Sequence, residues 1–155
     1  LWYSADGGDP AIRFDIQDGL GIAAARTVGM QFAIISGRPN SVVTRRAEDM
    51  GITEVLQGVE DKAAALDEMA AGNNWHLSQV CFIGDDIKDL PAMEISGLSV
   101  ATANAVPEVK DSADLVTDKS GGHGAIREAI ETILRAQGKW AAAIESYLKA
   151  RKSDN

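Results

Sequence analysis

The chain has 155 residues, of which 45% are hydrophobic and 25% charged, so it is long enough to bury the core of one globular domain. Its formal net charge of −8 argues against nucleic acids and anionic membranes as partners, because both reward a basic surface. The one cysteine, Cys81, excludes an internal disulfide and favours a reducing compartment. We therefore expect a cytoplasmic protein with a single domain, residues 1–155.

The predicted elements begin with a β-hairpin over residues 1–16, where apolar and polar residues alternate on either side of a turn. Short apolar segments then alternate with helical patterns until a C-terminal tail, residues 139–155. The predicted helices cover residues 19–29, 40–51, 61–72, 90–96 and 124–138, and the predicted strands cover residues 30–35, 53–58, 80–83, 98–105 and 113–117. This alternation predicts an α/β fold with a mainly parallel sheet and helices on both of its faces.

Polar residues suited to one task follow three of the predicted strands. Because ligands bind at the carboxyl ends of parallel strands, we expect these residues to meet in one crevice. Ser36 and the backbone N–H of Gly37 would donate to phosphate oxygens, and Lys62 would add a compact positive charge. Asp85, followed by Asp86, offers the carboxylate that Mg²⁺ prefers as a ligand. The sequence therefore predicts a phosphate held beside a divalent cation.

Each of these features also has a simpler explanation when it is taken alone. Ser36 would serve as a turn residue, Lys62 as a solvated helix charge, and Asp89 as the N-cap of the helix after it. Asp18 lies either at the edge of the site or at a helix cap, and the glycine-rich residues 121–124 form either a mobile lid or a helix entry. The ordered combination, with each member at the end of its own strand, favours the phosphate and metal site.

The ordered trio of Ser36, Lys62 and Asp85 resembles motifs two, three and four of the haloacid dehalogenase superfamily. More closely, the chain resembles the 3-deoxy-D-manno-octulosonate 8-phosphate phosphatases. The segments that carry this resemblance are "RFDIQDGLGI", "AIISGRPNSVVTRRAEDMGI", "QGVEDK", "IGDDIKDLP" and "GGHGAIREAIETILRAQGKW". It implies a Rossmann-like fold without a large cap domain, Mg²⁺ as cofactor, a phosphorylated sugar acid as substrate, and a homotetramer assembled through the N-terminal hairpin.

The resemblance also implies roles for individual residues at the predicted site. Ser36 and Lys62 would be catalytic residues that bind the phosphate. Asp85 would be the metal ligand, with Asp86 and Asp89 supporting the site.

Three further residues would bind substrate: Gly37, Arg38 and Arg46. The octulosonate phosphatases carry Arg in the "SGR" segment where the related nine-carbon ketodeoxynononate phosphatases carry Glu, so Arg38 favours the eight-carbon acid. Arg46 would hold the carboxylate of the sugar acid, and its alternative is a surface helix charge.

The family's first motif, a strand that ends in Asp-x-Asp, supplies the nucleophile and the general acid/base. It precedes the hairpin and would lie at the centre of the sheet, and no residue of this chain replaces it. Because the chain begins at Leu1 without an initiator Met, we expect it to be truncated and to be inactive as it stands. The alternative function is a non-catalytic assembly module, such as the related domain behind sialic-acid-activating cytidylyltransferases.

Overall fold

Helices and short strands alternate along residues 10–153, the part of the chain that this computed structural model describes. The elements are α1 (Ile16–Arg26), β1 (Ala33–Ser36), α2 (Ser41–Asp49), β2 (Glu54–Gln57), α3 (Lys62–Asn73), β3 (Cys81–Gly84), α4 (Leu90–Ile95), β4 (Leu98–Ala101), α5 (Pro107–Ser112), β5 (Leu115–Val116), α6 (Ala125–Ala136) and α7 (Trp140–Ser153). The predicted α/β class is confirmed. The predicted hairpin lies mostly outside the described residues.

The ends of the helices follow from local capping, and the structure differs from the predictions at the start of α1 and at α5. The Asn40 side chain accepts from the backbone N–H of Val42, which confirms it as the cap of α2. Helix α1 begins at Ile16, three residues before the predicted start, because the Asp15 side chain accepts from the N–H of Gln17. Helix α5 was not predicted, although Pro107 occupies its first position, where proline is favoured.

All strand pairs are parallel, and in the described residues they form two sheets. Strand β1 pairs with β2 in one sheet, and β3, β4 and β5 pair in that order in the other. The sequence predicted one sheet. Among the described residues, β1 pairs only with β2, and β3 pairs only with β4, so each has one edge without a strand partner. The resemblance implies a further, central strand.

Helices cover both faces of the sheet that contains β1. Ile34 packs against an apolar cluster that includes Ile22 and Leu134, whereas its neighbour Ile35 packs against a second cluster that includes Phe82. Successive side chains of a strand point to opposite faces, so the two clusters lie on opposite sides of β1. The carboxyl ends of the strands are left open for polar residues.

Two questions that the sequence left open are answered by contacts of α6. The buried Asp18 side chain accepts from the backbone N–H of Arg127 at 2.8 Å, so Asp18 caps the first turn of α6 from across the fold. Gly121 donates its N–H to the Asn104 side chain at 2.6 Å, and Glu128 accepts from the N–H groups of residues 118 and 119. The glycine-rich segment is therefore a tethered entry to α6.

The predicted tail forms α7 and packs along α1. Its Ala143 is fully buried, and the carbonyl of Ala143 accepts from the Thr27 hydroxyl at 3.3 Å. Across the described part of the chain, no helix has the length and apolar character needed to cross a membrane.

Candidate active site

Two of the predicted strand ends are joined by a buried ion pair. The Asp61 side chain caps α3 by accepting from the N–H of Ala64, and this cap places Lys62 at the first position of the helix. The Lys62 Nζ lies 2.5 Å from Asp89 Oδ1, with side-chain exposures of 15% and 5%. Lys62 follows β2 and Asp89 follows β3, so the carboxyl ends of the two sheets face the same site.

Asp89 also organises the loop that follows β3. Its Oδ2 accepts from the backbone N–H of Asp85 at 2.9 Å and from that of Asp86 at 3.1 Å. Asp89 occupies the N-cap position of α4, as the alternative explanation predicted, but its side chain makes no capping hydrogen bond to that helix. Asp86 contributes locally, since its Oδ1 accepts from the N–H of Ile87.

Glycine is required at position 84 for this arrangement. A Cβ built on Gly84 would lie 2.6 Å from the Cβ of Asp89, which is closer than packed side chains come. The last residue of β3 is therefore glycine because the carboxyl group that holds Lys62 passes directly over it.

Asp85 carries its carboxyl group at a place that disfavours negative charge. Its side chain is partly exposed, yet the loss of water around the carboxyl group raises its pKa, and the charges of Asp89 and Asp86 raise it further. The positive charge of Lys62 lowers the pKa of Asp85. A cation beside Asp85 would relieve this repulsion, which is the electrostatic condition expected at a metal site.

The donor set fits a partly assembled magnesium site. Among residues 10–153, no group of three or more His, Cys, Asp or Glu side chains is arranged to hold a metal. Mg²⁺ is commonly bound through one or two carboxylates, with water and substrate phosphate oxygens completing its octahedron. Asp85 would offer one such carboxylate, with water and phosphate oxygens as further ligands.

Ser36 lies at the carboxyl end of β1, and its side chain forms hydrogen bonds only within its own loop. Its hydroxyl donates to the carbonyl of Arg38 at 3.0 Å and accepts from the N–H of Arg38 at 3.3 Å. Gly37 and Arg38 are exposed beside it. Ser36, Gly37 and Arg38 lie at the carboxyl end of β1, at the same edge of the sheet where Lys62 follows β2. Among the described residues, no hydrogen bond joins any of these three residues to Lys62.

Arg46 is not the surface charge that the alternative explanation required. Its guanidinium lies 5.9 Å from the centre of the Phe14 ring, and a Cβ on Gly19 would come within 2.4 Å of its Nη2. Its Nε is buried without a hydrogen-bond partner among the described residues. Arg46 thus lies between α1 and α2 with an unsatisfied donor.

Comparisons with known proteins identify the family of this chain. Residues 40–130 match the model of the haloacid dehalogenase-like hydrolase family. The 3-deoxy-D-manno-octulosonate 8-phosphate phosphatase of Escherichia coli is 40% identical over 139 residues, which cover 90% of this chain and 74% of that protein.

Two solved structures of such phosphatases also match the fold. The enzyme from Moraxella catarrhalis, in complex with magnesium ion, phosphate ion and KDO, has a TM-score of 0.88 and 37% identity, over 94% of this chain and 83% of that one. The cobalt-bound form from Haemophilus influenzae has a TM-score of 0.86 and 37% identity, over 94% and 86% of the two chains. The chain therefore belongs to the 3-deoxy-D-manno-octulosonate 8-phosphate phosphatase family of haloacid dehalogenase-like hydrolases.

Proposed function

We propose that this protein is a Mg²⁺-dependent phosphatase that hydrolyses 3-deoxy-D-manno-octulosonate 8-phosphate. The observation that carries the proposal is the buried network in which Asp89 binds both Lys62 and the backbone of Asp85. A structural domain needs no such network at the open ends of its strands, whereas a phosphatase needs a fixed cation beside a metal-binding carboxylate.

Each residue of the network would have a defined part in phosphoryl transfer. Lys62, Ser36 and the N–H of Gly37 would hold the phosphate oxygens, and Asp89 would keep Lys62 in position. Asp85 would bind Mg²⁺, which supplies neutralisation of the charge on the phosphoryl group. The attacking carboxylate would be an aspartate upstream of this chain, and water would then release phosphate from the aspartyl-phosphate.

The break between the two sheets supports a catalytic strand at that place. Strand β1 has no partner other than β2, and β3 has none other than β4, among the described residues. A strand parallel to both would end level with Ser36 and Asp85, and its last residues would lie between the phosphate-binding and metal-binding groups.

The substrate's sugar acid would be recognised by the arginines. Arg38 is exposed at the mouth of the site, where a second anionic group of the substrate would meet it. The buried, unpartnered Nε of Arg46 makes it a candidate for the carboxylate, which accepts hydrogen bonds from a guanidinium fork. The relative from Moraxella catarrhalis was solved with KDO bound, which agrees with a sugar acid as ligand.

We also propose one domain over residues 1–155 and a homotetramer formed through the N-terminal hairpin. On α1, Ile16 is 86% exposed and Leu20 is 42% exposed, an apolar pair that a neighbouring subunit would cover. A cytoplasmic location stays a prediction.

The test is phosphate release from 3-deoxy-D-manno-octulosonate 8-phosphate, with and without Mg²⁺. We expect no release by the printed chain, and release once an upstream strand ending in Asp-x-Asp is added. In the extended protein, Lys62→Ala and Asp85→Ala should abolish release, whereas the exposed Lys88→Ala should not. Release by the printed chain would refute the upstream nucleophile, and an inactive extended protein would favour the assembly module.

A further inference from the structure

Helix α7 carries an exposed apolar stripe on the side that faces away from the core. Trp140 is 6% exposed and Ala143 is fully buried, whereas Ile144 is 40% exposed and Leu148 is 54% exposed. Ala141, which is also exposed, lies three positions before Ile144, and Leu148 lies four positions after it. This three–four spacing is that of a coiled-coil seam, so the stripe has the form of a surface that packs against another helix.

The inner face of α7 is held firmly, which sets the direction of the stripe. The Arg127 guanidinium lies 4.8 Å from the centre of the Trp140 ring, and Arg127 is itself held by Glu131 at 2.6 Å. One turn further along α7, the carbonyl of Ala143 accepts from the Thr27 hydroxyl. The stripe is therefore a defined outer surface of the fold.

The charges beside the stripe are complementary to those of a second copy. Glu145 and Lys152 are exposed and lie seven positions apart, so they share one flank of the helix. Suppose that two α7 helices pair antiparallel with Ile144 opposite Leu148 of the second copy. Because side chains lean toward the N-terminus of their own helix, Glu145 then meets Lys152 of that copy, and the two-fold axis makes the contact twice. A parallel pair would instead set the flank of Glu145 against the side that contains the buried Trp140.

We propose that α7 is a self-association surface on which the α7 helix of a second copy of this chain packs antiparallel. The contact is small, because a helix of 14 residues is only about 21 Å long. It falls below the about 1,200 Å² that a stable interface buries, so the association is weak and depends on protein concentration. The surface is separate from the N-terminal hairpin, and the inference does not depend on the proposed function.

The test is sedimentation velocity of the printed chain from about 1 µM to about 1 mM. We expect the weight-average mass of the native chain to rise with concentration. Leu148→Glu sets a carboxylate against Ile144 of the second copy and should weaken the association at least about 10-fold. Val42→Glu is the matched control, because Val42 lies on helix α2 with nearly the same exposure as Ile144, 39% against 40%, and this change should leave the association as it is.

Charge reversal tests the antiparallel arrangement. Glu145→Lys and Lys152→Glu should each weaken the association about 5-fold, because like charges then meet twice across the contact. The variant with both changes should return to within a factor of about 2 of the native affinity, since opposite charges meet again. Glu145 also pairs with Lys149 of its own helix, so circular dichroism of every variant checks that its helix content is unchanged.

Three outcomes would overturn the proposal. The first is a native chain whose mass does not change with concentration. The second is a Leu148→Glu variant that associates as the native chain does, because the hairpin alone would then explain the assembly. The third is a pair of charge-reversed variants whose combination associates no better than either alone, which would exclude the antiparallel contact between Glu145 and Lys152.

Discussion

The two sides of the candidate site are built in different ways. On one side, a buried carboxylate joins Lys62 to the loop that carries Asp85, so charge and backbone are fixed together. On the other side, the Ser36 hydroxyl is hydrogen-bonded only to the backbone of Arg38, and Gly37 and Arg38 next to it are exposed. The side that contains Lys62 stabilises the fold even without substrate. The side that contains Ser36 adds little to stability and would act only when a phosphate binds. Substitutions on the two sides should therefore separate stability from activity.

The largest effect is expected from Asp89→Ala. This change leaves the partly buried Lys62 ammonium without its counter-ion and removes the acceptor of two backbone N–H groups. Breaking a buried pair by deleting one partner costs about 3–5 kcal/mol. Urea denaturation should show a loss of this size in the free energy of unfolding.

A double-mutant cycle with Asp89→Asn and Lys62→Met tests whether the pair itself is responsible. The double variant should lose less stability than the sum of the two single variants, because neither charge is then left alone. If Asp89→Ala lowers the free energy of unfolding by less than about 1 kcal/mol, the side that contains Lys62 is not preorganised and the comparison fails.

A smaller effect is expected from Gly84→Ala, which places a methyl group 2.6 Å from the Cβ of Asp89. Overpacking of this kind costs about 1–3 kcal/mol, and here the strain would move the carboxylate that holds Lys62. Gly72→Ala is the matched control, because its Cβ would meet nothing within 4 Å and the helix α3 should gain about 0.5–1 kcal/mol. Equal melting temperatures for the two variants would show that Asp89 can move away at no cost.

A third prediction concerns the other side of the site. Ser36→Ala removes a hydroxyl bonded only to its own loop, so the free energy of unfolding should change by no more than about 0.5 kcal/mol. Phosphatase activity of the protein with its upstream strand should nevertheless fall at least about 10-fold, because the phosphate loses a donor. A large loss of stability with normal activity would reverse the assignment of the two sides.

The sequence could predict those features that are determined by residues close together in the chain, and not those that depend on contacts between distant positions. The cap at Asn40 and the α/β alternation follow from neighbouring residues, and both were predicted correctly. The contact between Asp18 and the N–H of Arg127 spans 109 positions, so no local pattern could choose between a cap and a site edge. Asp89 was predicted to support the site, but its ion pair with Lys62 was not predicted, because Lys62 lies 27 positions away on another helix.

The smallest predicted effect tests a carboxylate outside the site, at the junction of β4 and β5. Asp114 Oδ2 accepts from both the N–H and the hydroxyl of Ser99 at 2.8 Å, and these hydrogen bonds hold the pKa of Asp114 below its ordinary value of 3.8. A carboxyl group with a lowered pKa in the folded state stabilises the protein above its unfolded pKa. That contribution is lost as the pH falls through the lower, folded value. Asp114 thus differs from Asp85, whose pKa is raised by partial burial and by neighbouring negative charges.

The measurement is the melting temperature of the native protein and of Asp114→Asn, from neutral pH down to about pH 3. Because asparagine does not titrate, the variant should lose less of its melting temperature on acidification than the native protein loses. Ser99→Ala should flatten the acid dependence in the same way, since it removes the hydroxyl that donates to the charged form while leaving the backbone donor. Parallel curves for all three proteins would mean that Asp114 titrates normally in the folded state. In that case the hydrogen bonds from Ser99 fix the geometry of the β4–β5 junction without linking its stability to pH.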